Sequence, residues 1–245
     1  MTLVIAHRGA SAYAPENTIA AFELAHRQGA DMIELDVQQS ADGVLVVFHD
    51  DTTERWDGQK RLVTDCTLAE LQALDIGGEK VITLAEACAF AREHSMRLNV
   101  EIKAAGIGAA VARILREARV EELVLISSFE PSALREMASA SPHVPRAYLM
   151  GTNSYRPDVR IREAWPFLAL RSQQAQAWHP YHGLPMLSWL IPRVREAGFQ
   201  VNVWTVNDPA QMQRLLALGV DGIITDKPDV LRAVLQEQPT LATSN

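Results

Sequence analysis

Four short groups of residues carry most of the chemical potential of this chain: His7-Arg8-Gly9, Glu34-Leu35-Asp36, His49-Asp50 and Glu101-Ile102-Lys103. Glu34 and Asp36 are two positions apart, as are Glu101 and Lys103, so on an extended strand each pair shares one face. Three carboxylates gathered on one face repel one another unless a cation joins them. Ligation by oxygen alone suits Mg²⁺ or Ca²⁺ rather than zinc. The competing assignment is structural, an ion pair of Glu34 or Glu101 with Lys103 or Arg8. His7 and His49 form the natural acid–base pair, since splitting a phosphate ester near neutral pH needs one group to take a proton and another to give one. Arg8 can hold phosphate oxygens bidentately, and Lys103 adds a point charge. Gly9 beside Arg8 lets backbone approach a ligand closely.

Each of these groups follows an apolar run that reads as a strand: Leu3-Val4-Ile5-Ala6, Met32-Ile33, Val44-Leu45-Val46-Val47-Phe48 and Leu98-Asn99-Val100. Continuous apolar strands alternating with amphipathic segments indicate a buried parallel sheet. The expected strands are 3–6, 31–37, 97–102, 122–127, 146–150, about 175–180, 199–204 and 221–225. The expected helices are about 17–28, 83–94, 107–119, 131–139, 157–172, 187–197, 208–218 and 228–236. Eight of each predict an α/β fold, a (β/α)8 TIM barrel, whose strand C-termini form one shared mouth. The whole chain, 1–245, reads as a single domain. Helix boundaries are marked by Pro15-Glu16-Asn17-Thr18 as a cap, by a capping box at Thr83-Leu84-Ala85-Glu86, and by Gly29, Gly198 and Gly219 after helical patterns. Segment 44–48 is expected to pair with the tail of strand two as a hairpin. A short excursion over 51–80 follows, irregular except for a helix near 68–74, and such excursions often cover a site. The polar tail after Gln236 is expected to be mobile.

Other candidates weigh less. Trp204 in Val203-Trp204-Thr205-Val206-Asn207 is either rim packing or an apolar wall for a substrate's carbon skeleton. Asp226 in Thr225-Asp226-Lys227-Pro228 is expected to cap the last helix or to pair with a nearby cation. His179 and His182 fall near the sixth strand end, where one could line the pocket. His26, His94 and His143 sit in helical or loop patterns and read as structural.

The bulk properties exclude several classes. A net charge of −7 argues against a general nucleic-acid or anionic-membrane surface, so an anionic substrate requires a local cationic pocket. No apolar stretch approaches the ~18 residues that span a bilayer. Cys66 and Cys88 lack C-x-x-C spacing and suit a reducing compartment. Met1-Thr2 runs straight into the first strand with no leader pattern, and the expectation is a cytoplasmic protein without a membrane anchor. No P-loop, dinucleotide fingerprint, G-x-S-x-G elbow or H-E-x-x-H helix occurs.

Taken in order, His7-Arg8-Gly9, Pro15-Glu16-Asn17-Thr18, Glu34-Leu35-Asp36, His49-Asp50, Glu101-Ile102-Lys103, Val203-Trp204-Thr205-Val206-Asn207 and Thr225-Asp226-Lys227-Pro228 resemble the glycerophosphodiester phosphodiesterases, over positions 7 to 228. The resemblance is to the cytoplasmic branch. It implies a (β/α)8 barrel that hydrolyses a small-molecule glycerophosphodiester to glycerol 3-phosphate and an alcohol with a divalent cation. By position it implies Glu34, Asp36 and Glu101 as metal ligands, His7 and His49 as the acid–base pair, and Arg8 and Lys103 on the phosphate. The chain departs from the family at Arg55-Trp56, where Arg-Thr is common, and its excursion is shorter than the insertion of the periplasmic branch. Rival readings are a lysophospholipase D-like lipid enzyme, a non-catalytic barrel that binds phosphorylated metabolites, and an aldolase with Lys103 as Schiff base.

Overall fold

The computed structural model describes residues 1–151 and 156–237. Eight parallel strands close on themselves: β1 (Leu3–His7), β2 (Met32–Gln39), β5 (Arg97–Ile102), β6 (Val124–Ser128), β7 (Arg146–Met150), β8 (Ala177–Pro180), β9 (Gln200–Val203) and β10 (Gly222–Thr225). β1 pairs with both β2 and β10, which completes the ring. The barrel strands are covered on both faces, and the face packed against the helices is apolar, as Ile33, Leu35 and Val37 on β2 and Leu98, Val100 and Ile102 on β5 show. These apolar positions are what make the strands legible in the sequence.

The helices lie outside. They are α1 (Ile19–Arg27), α4 (Leu84–His94), α5 (Gly108–Ala118), α6 (Pro131–Ala140), α7 (Pro157–Ala164), α8 (Phe167–Ser172), α9 (Leu187–Glu196), α10 (Pro209–Ala217) and α11 (Pro228–Glu237). Thr18 caps α1 by accepting from the Ala21 N–H, and Thr83 with Glu86 forms the expected box on α4. Gly29, Gly198 and Gly219 all take positive φ after their helices. The helix expected over 157–172 is two, α7 and α8, broken at Trp165-Pro166. Proline cannot donate to the preceding turn and clashes with its carbonyl, and this overrides the helical pattern on either side.

The hairpin after strand two is present. β3 (Leu45–Val47) pairs antiparallel with β2, and β4 (Ile82–Thr83) extends it. Between them run two short helices, α2 (Glu54–Asp57) and α3 (Leu68–Gln72). The excursion is not loose. Val46, Phe48, Val63, Cys66, Leu71, Leu74, Ile76 and Val81 bury together as a satellite core separate from the barrel. Inside the barrel, Ile5, Met32, Leu125, Ala147, Ala177 and Ile224 form an apolar plug. The polar tail falls on 238–245 and so lies outside the described residues.

Candidate active site

The register of neighbouring strands brings the acidic groups together. His7 sits opposite Glu34 across β1 and β2, and Asp36 sits opposite Glu101 across β2 and β5. Since side chains alternate in and out, Glu34, Asp36 and Glu101 all face the barrel axis at its C-terminal end. Their oxygens come within 4.8 Å of one another, a grouping able to hold a metal ion. All three carboxylates are buried. Burial, then the charges of Asp36 and Glu101, pushes Glu34 well above the ordinary carboxylate range. Burial and then Asp36 raise Glu101 to about 7. Burial acts on Asp36 in the same sense, but Arg8 and Lys103 outweigh it and hold Asp36 down.

Lys103 places Nζ 3.4 Å from both Asp36 and Glu101. Arg8 follows β1 in the left-handed region, with φ 56°. Its backbone N–H donates to Glu34 at 3.1 Å, and its Nε lies 3.2 Å from Asp36 without the alignment of a hydrogen bond. A non-glycine residue held there is strained, and such strain gathers at functional sites. Gly9 is needed next: a Cβ would meet Ala21 of α1 at 2.7 Å, so only glycine lets the β1 loop lie that close to the helix. Asn17, also at positive φ, donates to Asp36 at 3.0 Å. It orients that carboxylate, while the cap itself belongs to Thr18.

Each histidine is fixed through Nδ1. His7 Nδ1 donates to Asp226 at 2.6 Å, and His49 Nδ1 to Asp50 at 2.8 Å. A carboxylate on Nδ1 selects the tautomer whose Nε2 is free for proton transfer. Burial would push Asp226 up, yet its bonds with His7, Asn207 and Ser11 hold it down at about 2. Asp226 therefore orients His7, and the expectation of a helix cap is corrected. Among the described residues the basic side chain that Asp226 pairs with is His7 itself. Burial lowers His49, with Arg8 and Lys103 adding to it against Asp36 and Asp50. Gln38 at the end of β2 donates to the carbonyls of Phe48 and Asp50, at 3.0 and 2.8 Å, and so sets the backbone that carries His49. Glu16 accepts from Arg8 and from Arg55, and Arg55 also donates to Asp50 at 2.6 Å. The excursion is thereby tied to both histidine-bearing segments.

His7, Glu34, His49, Glu101, Lys103 and Trp204 line one cavity of about 80 Å³. Trp204 stands edge-on to Phe129 and donates to the His179 carbonyl at 2.8 Å, so it is both packed and cavity-lining. A larger cleft of about 480 Å³ adjoins through Phe129 and Leu149. It contains neither of these histidines and none of the clustered carboxylates, whereas His7, His49, Glu34 and Glu101 face the smaller cavity. His179 is fully buried against Asn202, and His182 bonds Gln211; neither lines that cavity. His26 and His94 stack on each other, and His143 pairs with Glu121, as structural residues do.

A TIM barrel with two histidines, two cationic side chains and three carboxylates at its mouth suits the hydrolysis of phosphate esters. The glycerophosphoryl diester phosphodiesterase family model matches residues 7–230, and the chain belongs to that family. It is 38% identical to a glycerophosphodiester phosphodiesterase of Caldanaerobacter subterraneus subsp. tengcongensis, across 94% of this chain and 96% of that protein. Among solved structures, a glycerophosphodiester phosphodiesterase from Agrobacterium tumefaciens superposes with a TM-score of 0.80 at 30% identity, over 96% of this chain and 100% of the other. An Oleispira antarctica phosphodiesterase, solved with the product sn-glycerol-3-phosphate, gives 0.83 at 28% identity, over 97% and 98%. The chain is thus a phosphoric diester hydrolase of the glycerophosphodiester class. Among the described residues no helix is long and apolar enough to cross a membrane.

Proposed function

We propose that this enzyme cleaves soluble glycerophosphodiesters to glycerol 3-phosphate and an alcohol, with a divalent cation on Glu34, Asp36 and Glu101 and with His7 and His49 moving the protons. The observation that carries the reading is two tautomer-fixed histidines on the same cavity as the carboxylates. The donor set is all oxygen, which suits Mg²⁺ or Ca²⁺. Three buried carboxylates, two of them pushed up by burial and by one another, would be relieved by a bound cation. Such an ion supplies positive charge for the phosphate oxygens as negative charge builds on them.

The chain's own residues supply the rest. Arg8 and Lys103 present cations on either side of the carboxylates and favour the more highly charged transition state over the ground state. His49 is kept neutral near pH 7 by burial and can accept a proton at Nε2. His7 donates from Nε2 to the departing alkoxide, and Asp226 steadies its cationic form. The nucleophile is either water or the neighbouring glycerol hydroxyl. Trp204, Phe129 and Leu149 give the carbon skeleton an apolar wall. A cytoplasmic location is part of the same reading, supported by two unpaired buried cysteines.

The test is glycerol 3-phosphate release from glycerophosphocholine, with chelator and after Mg²⁺ or Ca²⁺ is restored. Full activity in chelator would remove the cation from the proposal. Near-normal turnover by both His7→Ala and His49→Ala would remove the acid–base assignment, since a positioned acid or base contributes roughly 10²–10⁴-fold.

A further inference from the structure

Beneath the carboxylates the barrel contains a second polar level that the proton chemistry does not use. On β5 the inward face runs Arg97, Asn99, Glu101, so Asn99 lies one step below the ligand Glu101. Ser127 on β6 sits opposite Glu101 in the strand register. Asn99 is 1% exposed and Ser127 0% exposed. The Asn99 amide nitrogen, its amide oxygen and the Ser127 hydroxyl have no protein partner. An unmet buried polar group forfeits its hydration with nothing in return, so interiors almost always satisfy such groups. Apolar Ile5, Met32, Leu125 and Ile224 pack as a cluster of their own and offer these groups no hydrogen bond.

We infer that Asn99 and Ser127 form a hydroxyl-binding floor that recognises the glycerol unit of the substrate, an inference that rests on the glycerophosphodiester reading. Both line the cavity shared by His7, Glu34 and Glu101. An amide and a hydroxyl each offer a donor and an acceptor, which matches neighbouring alcohol groups. They carry no positive charge, and the amide oxygen opposes an anion, so the phosphate is held above them by Arg8 and Lys103. The cavity, about 80 Å³, exceeds the roughly 30 Å³ share of one water. Apolar Leu149 and Ile224 on the same cavity suit the carbon chain between hydroxyls. A site built to hydrogen-bond a substrate hydroxyl rejects analogues lacking it strongly, because the protein groups are then left unpaired.

The experiment is a cycle of variants against substrates. Asn99→Leu and Ser127→Ala are assayed on glycerophosphocholine, on its two mono-deoxy glycerol analogues, and on bis(p-nitrophenyl) phosphate, with melting temperature followed in parallel. We expect kcat/KM on glycerophosphocholine to fall on the order of 10²-fold for Asn99→Leu and about 10-fold for Ser127→Ala. One deoxy analogue should lose little further in the variants. The glycerol-free diester should change less than about threefold, since the proton-moving groups are intact. Calorimetric binding of glycerol 3-phosphate should weaken in step. An unchanged ratio of natural to deoxy substrate in both variants overturns the floor, as does a parallel loss on the glycerol-free diester. If Asn99→Leu does not fold, Ser127→Ala decides by the same ratio. Failure of the underlying substrate reading looks different: the wild type would then not distinguish glycerophosphocholine from either deoxy analogue.

Discussion

Asp226 lies 219 positions from His7 in sequence and 2.6 Å from it in space. Its own segment, Thr225-Asp226-Lys227-Pro228, precedes a helix, where an aspartate reads naturally as a cap. The seven ordered motifs contain it, but motif order does not tell a side chain's partner. Asn207 is legible in the same way, as the end of Val203-Trp204-Thr205-Val206-Asn207. In three dimensions it donates to Asp226 and accepts from the Asp226 N–H at 2.9 Å. The histidines and the three carboxylates are readable because register and alternation place them without any long-range knowledge. The support that Asp226 and Asn207 give His7 is not, because strand closure between β1 and β10 decides it. Asp226→Asn keeps the shape and removes the charge that fixes the His7 tautomer. We expect kcat to fall by about 10²–10⁴-fold with KM little changed. A loss confined to KM would show that Asp226 serves binding instead. The pH–rate profile of the wild type should fall on its acid side as His49 is protonated. Because burial lowers His49 below its ordinary value, that limb should lie below about pH 6.5 and vanish in His49→Ala.

Among the elements, the excursion departs furthest from its sequence pattern. Its spacing of apolar residues is irregular because it forms its own small core, not one face of a helix or strand. Arg55, where the family pattern is followed by threonine, is here followed by Trp56, and the guanidinium lies 4.5 Å from the centre of that ring. Arg55 then bridges Glu16, after β1, to Asp50, after β3. The element that carries His49 is therefore held to the element that carries Arg8 by one partly exposed cation. Surface ion pairs contribute little to global stability, roughly 0–1 kcal/mol, so this bridge acts mainly on geometry. Arg55→Ala should leave the melting temperature nearly unchanged, lower kcat/KM about 10-fold, and speed proteolysis within 51–80. A normal kcat/KM would show that the satellite core alone positions His49. Helix boundaries are legible wherever caps and glycines mark them; 157–172 reads as one helix because its apolar spacing runs through Pro166.

At the scale of the whole molecule, the buried titratable groups set opposing pH dependences. His179 is fully buried, and burial lowers it to about 3. Between that value and the unfolded value near 6.5, the unfolded chain binds the proton and the folded chain does not, so stability is lost as pH falls. Glu101, raised to about 7, and Glu34, raised well above its ordinary value, act in the other direction. From about pH 4.5 upward the folded chain keeps protons that the unfolded chain releases, so stability is lost as pH rises through 7. Between about pH 4.5 and 6.5 two carboxyls keep protons while one histidine forgoes one, so the metal-free protein should melt highest near about pH 4.5 and less well as pH rises toward 7. A cation on Glu34, Asp36 and Glu101 removes the reason for the alkaline loss, because it replaces those protons. At roughly 100 times its Kd, a ligand specific to the folded state adds about 2.7 kcal/mol, or about 5–10 °C for a chain of this size. Melts from about pH 3 to 8.5 in EDTA, and then in excess Mg²⁺ or Ca²⁺, should show the loss above about pH 4.5 flatten while the acid limb, to which His179 and Asp226 contribute, stays. A flat alkaline limb in EDTA, or one that neither ion changes, would show that the three carboxylates do not form the cation site.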